Sequence, residues 1–171
     1  MKQFNTKKLT FLAVMVALQI VFARTLGIDL GNYQRISFSF IPVTLASTTL
    51  GPIASGIAAI VADIVGFMMK PTGPYFPGFT FNAFLSAALY GVFFYKKDLT
   101  IKRIVLANVV ITVLVNCLMG TYWVHMLYGN PFQAVLMSKL PFQGLMLVIK
   151  IVVQALILDR MSKEAIRLFR D

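Results

Sequence analysis

Six carboxylates and one histidine are the whole acid–base inventory of 171 residues. Asp29, Asp63, Asp98, Asp159, Glu164 and Asp171 are scattered along the chain, and His125 stands alone, too thin a set for a hydrolytic site or a metal centre. No Gly-x-x-x-x-Gly-Lys-Ser/Thr loop occurs, nor His-Glu-x-x-His, Cys-x-x-Cys or Gly-x-Ser-x-Gly. The chain is therefore expected not to be an enzyme, to hold no metal and no cofactor, and to leave any use of ATP to other chains. A lone cysteine, Cys117, rules out an internal disulfide and reads as a small packing residue.

Charge is also scarce, at 13%, whereas 58% of residues are hydrophobic and the mean hydropathy is +0.80. Those values lie far from a soluble domain and predict an integral membrane protein. Apolar segments run over Leu9 to Leu26, Ile36 to Leu50, Pro52 to Met69, Phe79 to Tyr95, Ile104 to Leu127 and Leu140 to Leu158. Six spans are expected within a single domain, 1–171, an all-α bundle of transmembrane helices. Because the apolar runs continue so far, nothing is expected to be cleaved as a signal peptide. The second span is short for a bilayer and needs polar flanks, local thinning or burial among the others. Spans two to four carry too few polar positions to line a channel.

Placement explains the net charge of +10 better than a nucleic-acid partner does. Lys2, Lys7 and Lys8 precede span one; Lys96, Lys97, Lys102 and Arg103 separate spans four and five; Arg160, Lys163, Arg167 and Arg170 follow span six. By the positive-inside rule that face, with both termini, is cytoplasmic. Arg24, Arg35, Lys70 and Lys139 fall at the opposite ends of their spans, where orientation gives them no purpose. Snorkelling explains any one of them, but four together favour an anion held on the outer face.

Well inside the spans, Asp63 is the one carboxylate and Lys150 the one cation, and either a mutual pair or contact with polar groups would satisfy them. Both are left outside the predicted site. Ala13 and Ala17 form a small-xxx-small pair that permits close helix approach. Asn116, Gly120 and Trp123, spaced by four and three, share a helical face suited to a planar heterocycle, although an interfacial ring and a satisfied amide would look the same.

Between spans three and four lies Pro71-Thr-Gly-Pro-Tyr-Phe-Pro-Gly-Phe-Thr-Phe-Asn82. Three prolines and two glycines predict a shaped loop rather than a helix. Its aromatics, Tyr75, Phe76 and Phe79, are expected to cover a ligand.

This loop, with Gly51-Pro-Ile-Ala-Ser-Gly56, Ala62-Asp63 and Gly66, resembles the substrate-binding S components of energy-coupling factor transporters, and within them the folate-type members. The resemblance covers about residues 9–160. It implies an outward pocket capped by the loops after spans one and three. It also implies docking of Ala13 and Ala17 on a transmembrane coupling subunit joined to two ATPases, in a prokaryotic cell membrane.

Folate is a flat pterin joined through an aminobenzoate to a glutamate, so its pocket needs aromatic faces, amide-type partners and cations. Tyr75, Phe76 and Trp123 are expected to stack, with Pro77 and Gly78 shaping the loop. Asn116 and Thr80 are expected to hydrogen-bond the heterocycle, and Arg24, Arg35 and Lys139 to meet the anionic tail. The competing readings are an S component for riboflavin or thiamine, neither of which requires so many outer cations, and a membrane scaffold without a ligand.

Overall fold

A computed structural model describes residues 6–29, 35–71 and 73–167. Helix α1 (Thr6–Ile20) passes without a break into a π-helical turn, Val21–Thr25. The chain then makes two very short antiparallel strands, β1 (Ile28–Asp29) and β2 (Arg35–Ile36), with Ile28 opposite Ile36 and Asp29 opposite Arg35. This ribbon is the one departure from an all-helical chain among the described residues. The predicted second span is accordingly trimmed, because Ile36 belongs to β2 and the helix begins only at Phe40.

Helix α2 (Phe40–Leu50) has 11 residues, about 16 Å of helix, well short of a 30 Å hydrocarbon core. It resolves the mismatch by burial, since Phe40, Pro42, Thr44, Leu45, Ala46, Ser47 and Thr48 are all enclosed. Its hydroxyls are satisfied at the helix's own carbonyls, Thr44 on Phe40 at 2.6 Å and Thr48 on Thr44 at 3.0 Å. Gly51, at φ 89°, makes the turn into α3 (Pro52–Met69), and Pro52 starts that helix where no N–H is required.

Helix α4 (Pro77–Phe94) packs closely along α3: a Cβ at Gly56 would fall 2.6 Å from the Phe84 ring, and one at Gly91 would strike the Pro52 backbone. The Ala87 carbonyl accepts from Ser47 at 2.9 Å and Ser55 at 3.3 Å, so α2, α3 and α4 meet at one oxygen. The predicted loop therefore ends at Phe76, not Asn82. Pro77 lies in the first turn, where its fixed φ and missing donor favour a helix start.

The fifth span is a composite. Helix α5 (Ile101–Val110) runs into a π-helical stretch, Ile111–Met119, and on into α6 (Gly120–Tyr128). Gly129, at φ 68°, closes α6 in the left-handed conformation. The last helix, α7 (Phe132–Arg167), carries Pro141 within it.

Five of these units are long and apolar enough to cross a bilayer: Thr6–Thr25, Pro52–Met69, Pro77–Phe94, Ile101–Tyr128 and Phe132–Leu158; α2 is the short sixth. Their outer faces expose large apolar side chains such as Ile53, Met68 and Leu156, as lipid contact requires. Inside, Tyr90, Phe94, Ile104, Ala107, Ile111, Val115 and Leu158 form the main apolar core. Beside it runs a satisfied polar chain. Tyr90 donates to Asn108 Oδ1 at 2.8 Å, Asn108 to Gln154 Oε1 at 2.6 Å, and Gln154 to Thr44 Oγ1 at 3.0 Å, tying α4, α5, α7 and α2 together.

Candidate functional site

A cavity of about 360 Å³ opens among α1, α2, α3, α4, the π-helical stretch and α7. Its size falls in the range of small-molecule sites. Two side chains predicted from sequence line it directly, Arg24 from the end of the first span and Asn116 from the fifth.

Arg24 is held on several sides. Its Nη2 lies 3.6 Å from Asp63 Oδ1, its Nη1 donates to the Lys70 carbonyl at 3.2 Å, and its guanidinium sits 5.9 Å from the Phe67 ring centroid. Lys70 Nζ returns a contact of 3.4 Å to the Arg24 carbonyl, so these two outer cations brace the ends of their spans. On α3, Gly66 leaves room for the arginine stem; a Cβ there would lie 3.1 Å from Nε.

Asp63 is the hub. Its Oδ2 accepts the Thr80 hydroxyl at 2.7 Å, and Thr80 Oγ1 lies 3.0 Å from the Tyr75 hydroxyl. With its proton on Asp63, Thr80 can only accept from Tyr75, so the chain runs Tyr75 to Thr80 to Asp63, with Arg24 paired at the far oxygen. The segment between α3 and α4 is thereby joined to the cavity wall. Tyr75 also packs on Phe67 at 5.3 Å between centroids and remains 45% exposed.

The other predicted aromatics form a cluster at the start of α4. Phe76 lies 5.6 Å from Trp123 and 6.0 Å from Phe79. Trp123 Nε1 donates to Asn82 Oδ1 at 3.0 Å, and Asn82 Nδ2 donates to the Val115 carbonyl at 3.3 Å. Gly78 is required at the centre, because a Cβ there would fall 2.5 Å from Phe76 and 2.6 Å from Trp123. Pro77 stands exposed at the helix start. Phe76 and Trp123 are thus partnered with each other; neither is among the described residues lining the cavity.

Asn116 lines the cavity from the π-helical stretch, while Gly120 and Trp123, beyond it on α6, both face Asn82. Lys139 departs from its expected placement. Expected at an outer helix end, it lies within α7, is 5% exposed, and donates from Nζ to the Gly120 carbonyl at 3.1 Å. Arg35 pairs through its backbone with Asp29, and its side chain lies outside the described residues. Ala13 and Ala17 are both exposed on α1, away from its buried residues Met15 and Gln19.

Asp63 and Lys150, both left outside the predicted site, line the cavity, and so does Gln19, which the sequence reading passed over. Asp63 pairs with Arg24 rather than with Lys150. Each was visible as a lone polar residue inside an apolar span, the pattern that marks function by default in a membrane. Tyr90 forms part of the lining as well, with its hydroxyl committed to Asn108.

Comparison with known proteins places this geometry in context. A family profile described as ECF transporter, substrate-specific component, matches residues 7–158. A folate transporter FolT from Clostridium novyi (strain NT) is 41% identical over 153 residues, covering 90% of this chain and 87% of the relative. A folate transporter FolT from Leuconostoc mesenteroides subsp. mesenteroides is 30% identical over 128 residues, covering 74% of this chain and 68% of the relative. A crystal structure of FolT bound with folic acid superposes with a TM-score of 0.83 at 36% identity, covering 88% of this chain and 92% of the other.

Proposed function

The chain belongs to the substrate-specific components of ECF transporters, and from that premise we propose that it captures folate outside the cell and, with an ECF module, delivers it inward. It is a multi-pass membrane protein of a prokaryotic cell and a transport subunit rather than an enzyme. The module is proposed to comprise a transmembrane coupling subunit and two ATPases, which supply the ATP hydrolysis this chain has no loop to perform. The basic loops orient both termini to the cytoplasm.

The observation that carries the reading is a 360 Å³ cavity within the bundle that has Arg24 in its wall and an aromatic, proline-shaped cap hydrogen-bonded to that wall through Thr80 and Asp63. An elongated ligand with a flat ring at one end and carboxylates at the other fits such a chamber. Arg24 meets a carboxylate, with Arg35 contributed by β2. Asn116 offers its amide to the ring. Tyr75, Phe76, Pro77, Gly78, Thr80 and Trp123 act as the closing cap. Lys139 keeps a packing role on Gly120, and Lys150 takes its place as the second cavity cation.

Titrating the purified protein with folic acid while following Trp123 fluorescence tests this directly, because Trp123 is the single tryptophan and packs against the cap residue Phe76. Saturable one-to-one quenching is expected, with no response to riboflavin or thiamine. A flat folate titration with clear binding of another vitamin would keep the family and discard the substrate.

A further inference from the structure

The fifth span leaves the regular pitch over nine residues, Ile111–Met119, and the departure has a local cost. A π-helical register moves each carbonyl away from the donor that an α-helix would bring to it. On the regular helix α2, Thr44 and Thr48 bond carbonyls one turn back, whereas Thr112 within the stretch and Thr121 just beyond it are buried with hydroxyls that meet no partner. Donors from neighbouring helices hold the stretch instead. Asn82 on α4 donates from Nδ2 to the Val115 carbonyl at 3.3 Å, and Lys139 on α7 donates from Nζ to the Gly120 carbonyl at 3.1 Å. These two points bracket Asn116. The Val115 carbonyl belongs to the peptide that leads into Asn116, and Gly120 is where the stretch passes into α6. The Gly120 amide also reaches the Val115 carbonyl, and a Cβ on Gly120 would lie 3.3 Å from that oxygen, 3.7 Å from Asn82 Nδ2 and 3.8 Å from Lys139 Nζ, so both donors converge on one small residue.

Lys139 is the costly member of this arrangement. It is 5% exposed within a membrane span, no carboxylate pairs with it among the described residues, and it does not belong to the described cavity lining. Taking an ammonium out of water is expensive, and a cation kept inside a span marks function by default. The charge strengthens its hydrogen bond to a carbonyl beyond what a neutral donor would give. That bond falls where the π-helical register gives way to the α-helical one. Because Lys139 is outside the lining, its effect on a ligand passes through what that register presents. Ile111 and Asn116 are the residues of the stretch that line the cavity, and of the two only Asn116 offers hydrogen bonds there.

We propose that Lys139 is a positioning residue for ligand binding: by holding the Gly120 carbonyl, it fixes the register of the π-helical stretch and so turns the Asn116 amide into the cavity. This rests on the folate reading above, in which Asn116 meets the ligand's ring.

The test is a double-mutant cycle in the full-length protein purified in detergent, read by calorimetric titration with folic acid. Lys139→Met keeps the stem and removes the donor. Alone it should weaken folic acid binding roughly tenfold, as should Asn116→Ala. The two together should bind no more than about twofold more weakly than Asn116→Ala by itself, because a side chain already absent cannot be displaced. Arg24→Ala, whose ion-pair partner Asp63 lies on α3, is the independent background, and there the Lys139→Met loss should persist at roughly tenfold. A merely structural lysine would carry the same loss into both backgrounds. That result, or unchanged affinity in either Lys139→Met or Asn116→Ala, would overturn the proposal. Should Lys139→Met not purify, Lys139→Gln, uncharged and with a shorter reach, enters the same cycle. A wild type that fails to bind folic acid brings down the proposed function and this inference with it; a wild type that binds while the two losses multiply brings down this inference alone.

Discussion

The Arg24 guanidinium has two suitors, the Asp63 carboxylate 3.6 Å away and an incoming anion. The pair is only partly enclosed, with side chains 11% and 25% exposed, so solvent already weakens it and a ligand carboxylate can compete. Arg24→Ala should weaken folic acid binding by roughly tenfold or more, the usual consequence of losing a charge-assisted contact. Asp63→Asn keeps an oxygen for Thr80 but removes the competing charge, so titration should find affinity unchanged or improved. Equal loss in both variants would mean that the pair acts as one structural unit. Gly78 makes a separate claim. With Phe76 and Trp123 within 2.6 Å of any Cβ, Gly78→Ala must displace the cap cluster, which should cost about 1–3 kcal/mol as overpacking does and lower the Tm of the ligand-free protein. A wild-type Tm would show that the rings yield freely.

Elements were legible where punctuation and composition agreed. Gly51 followed by Pro52 marks both ends of a turn, and the span beginning at Pro52 was delimited to the residue. The 71–82 window was misread because its prolines were counted without regard to position: Pro71 and Pro74 interrupt, whereas Pro77 starts α4. The π-helical stretch Ile111–Met119 leaves no trace in composition, since ITVLVNCLM is as apolar as an ordinary helix. Lone polar residues in spans were visible but ambiguous, because a helix-packing network and a ligand contact look alike in one dimension. Asn108 shows the first outcome, saturated by protein partners. The saturated case predicts its own test. Asn108→Ala removes one hydrogen bond from the Tyr90 hydroxyl and one from the Gln154 carbonyl oxygen at the junction of four helices. Each such loss costs about 1–3 kcal/mol, so thermal unfolding should begin several degrees lower. A Tm equal to wild type would remove this network from the supports of the cavity.

For the molecule as a whole, capture and delivery place opposite demands on the surface. Capture requires a stable chamber, and the closely packed α3–α4 pair with the polar chain through α2, α4, α5 and α7 supplies it. Delivery requires a face that can meet another membrane subunit without disturbing that chamber. Lipid-facing positions elsewhere carry bulky side chains, such as Ile53, Met68 and Leu156, whereas Ala13 and Ala17 are exposed one turn apart on α1 and present only methyl groups. Small residues let two helix backbones approach closely, which is how helices associate where lipid offers no hydrophobic drive. Because neither alanine lines the described cavity, enlarging them should separate the two functions. The double variant Ala13→Leu, Ala17→Leu is expected to bind folic acid in detergent with wild-type affinity, yet to support little or no folate uptake when produced with its ECF module. Co-purification with the module should fall in parallel. Uptake at the wild-type rate would place the docking face elsewhere on the bundle, and loss of folic acid binding together with uptake would show that α1 shapes the chamber through its outer face as well.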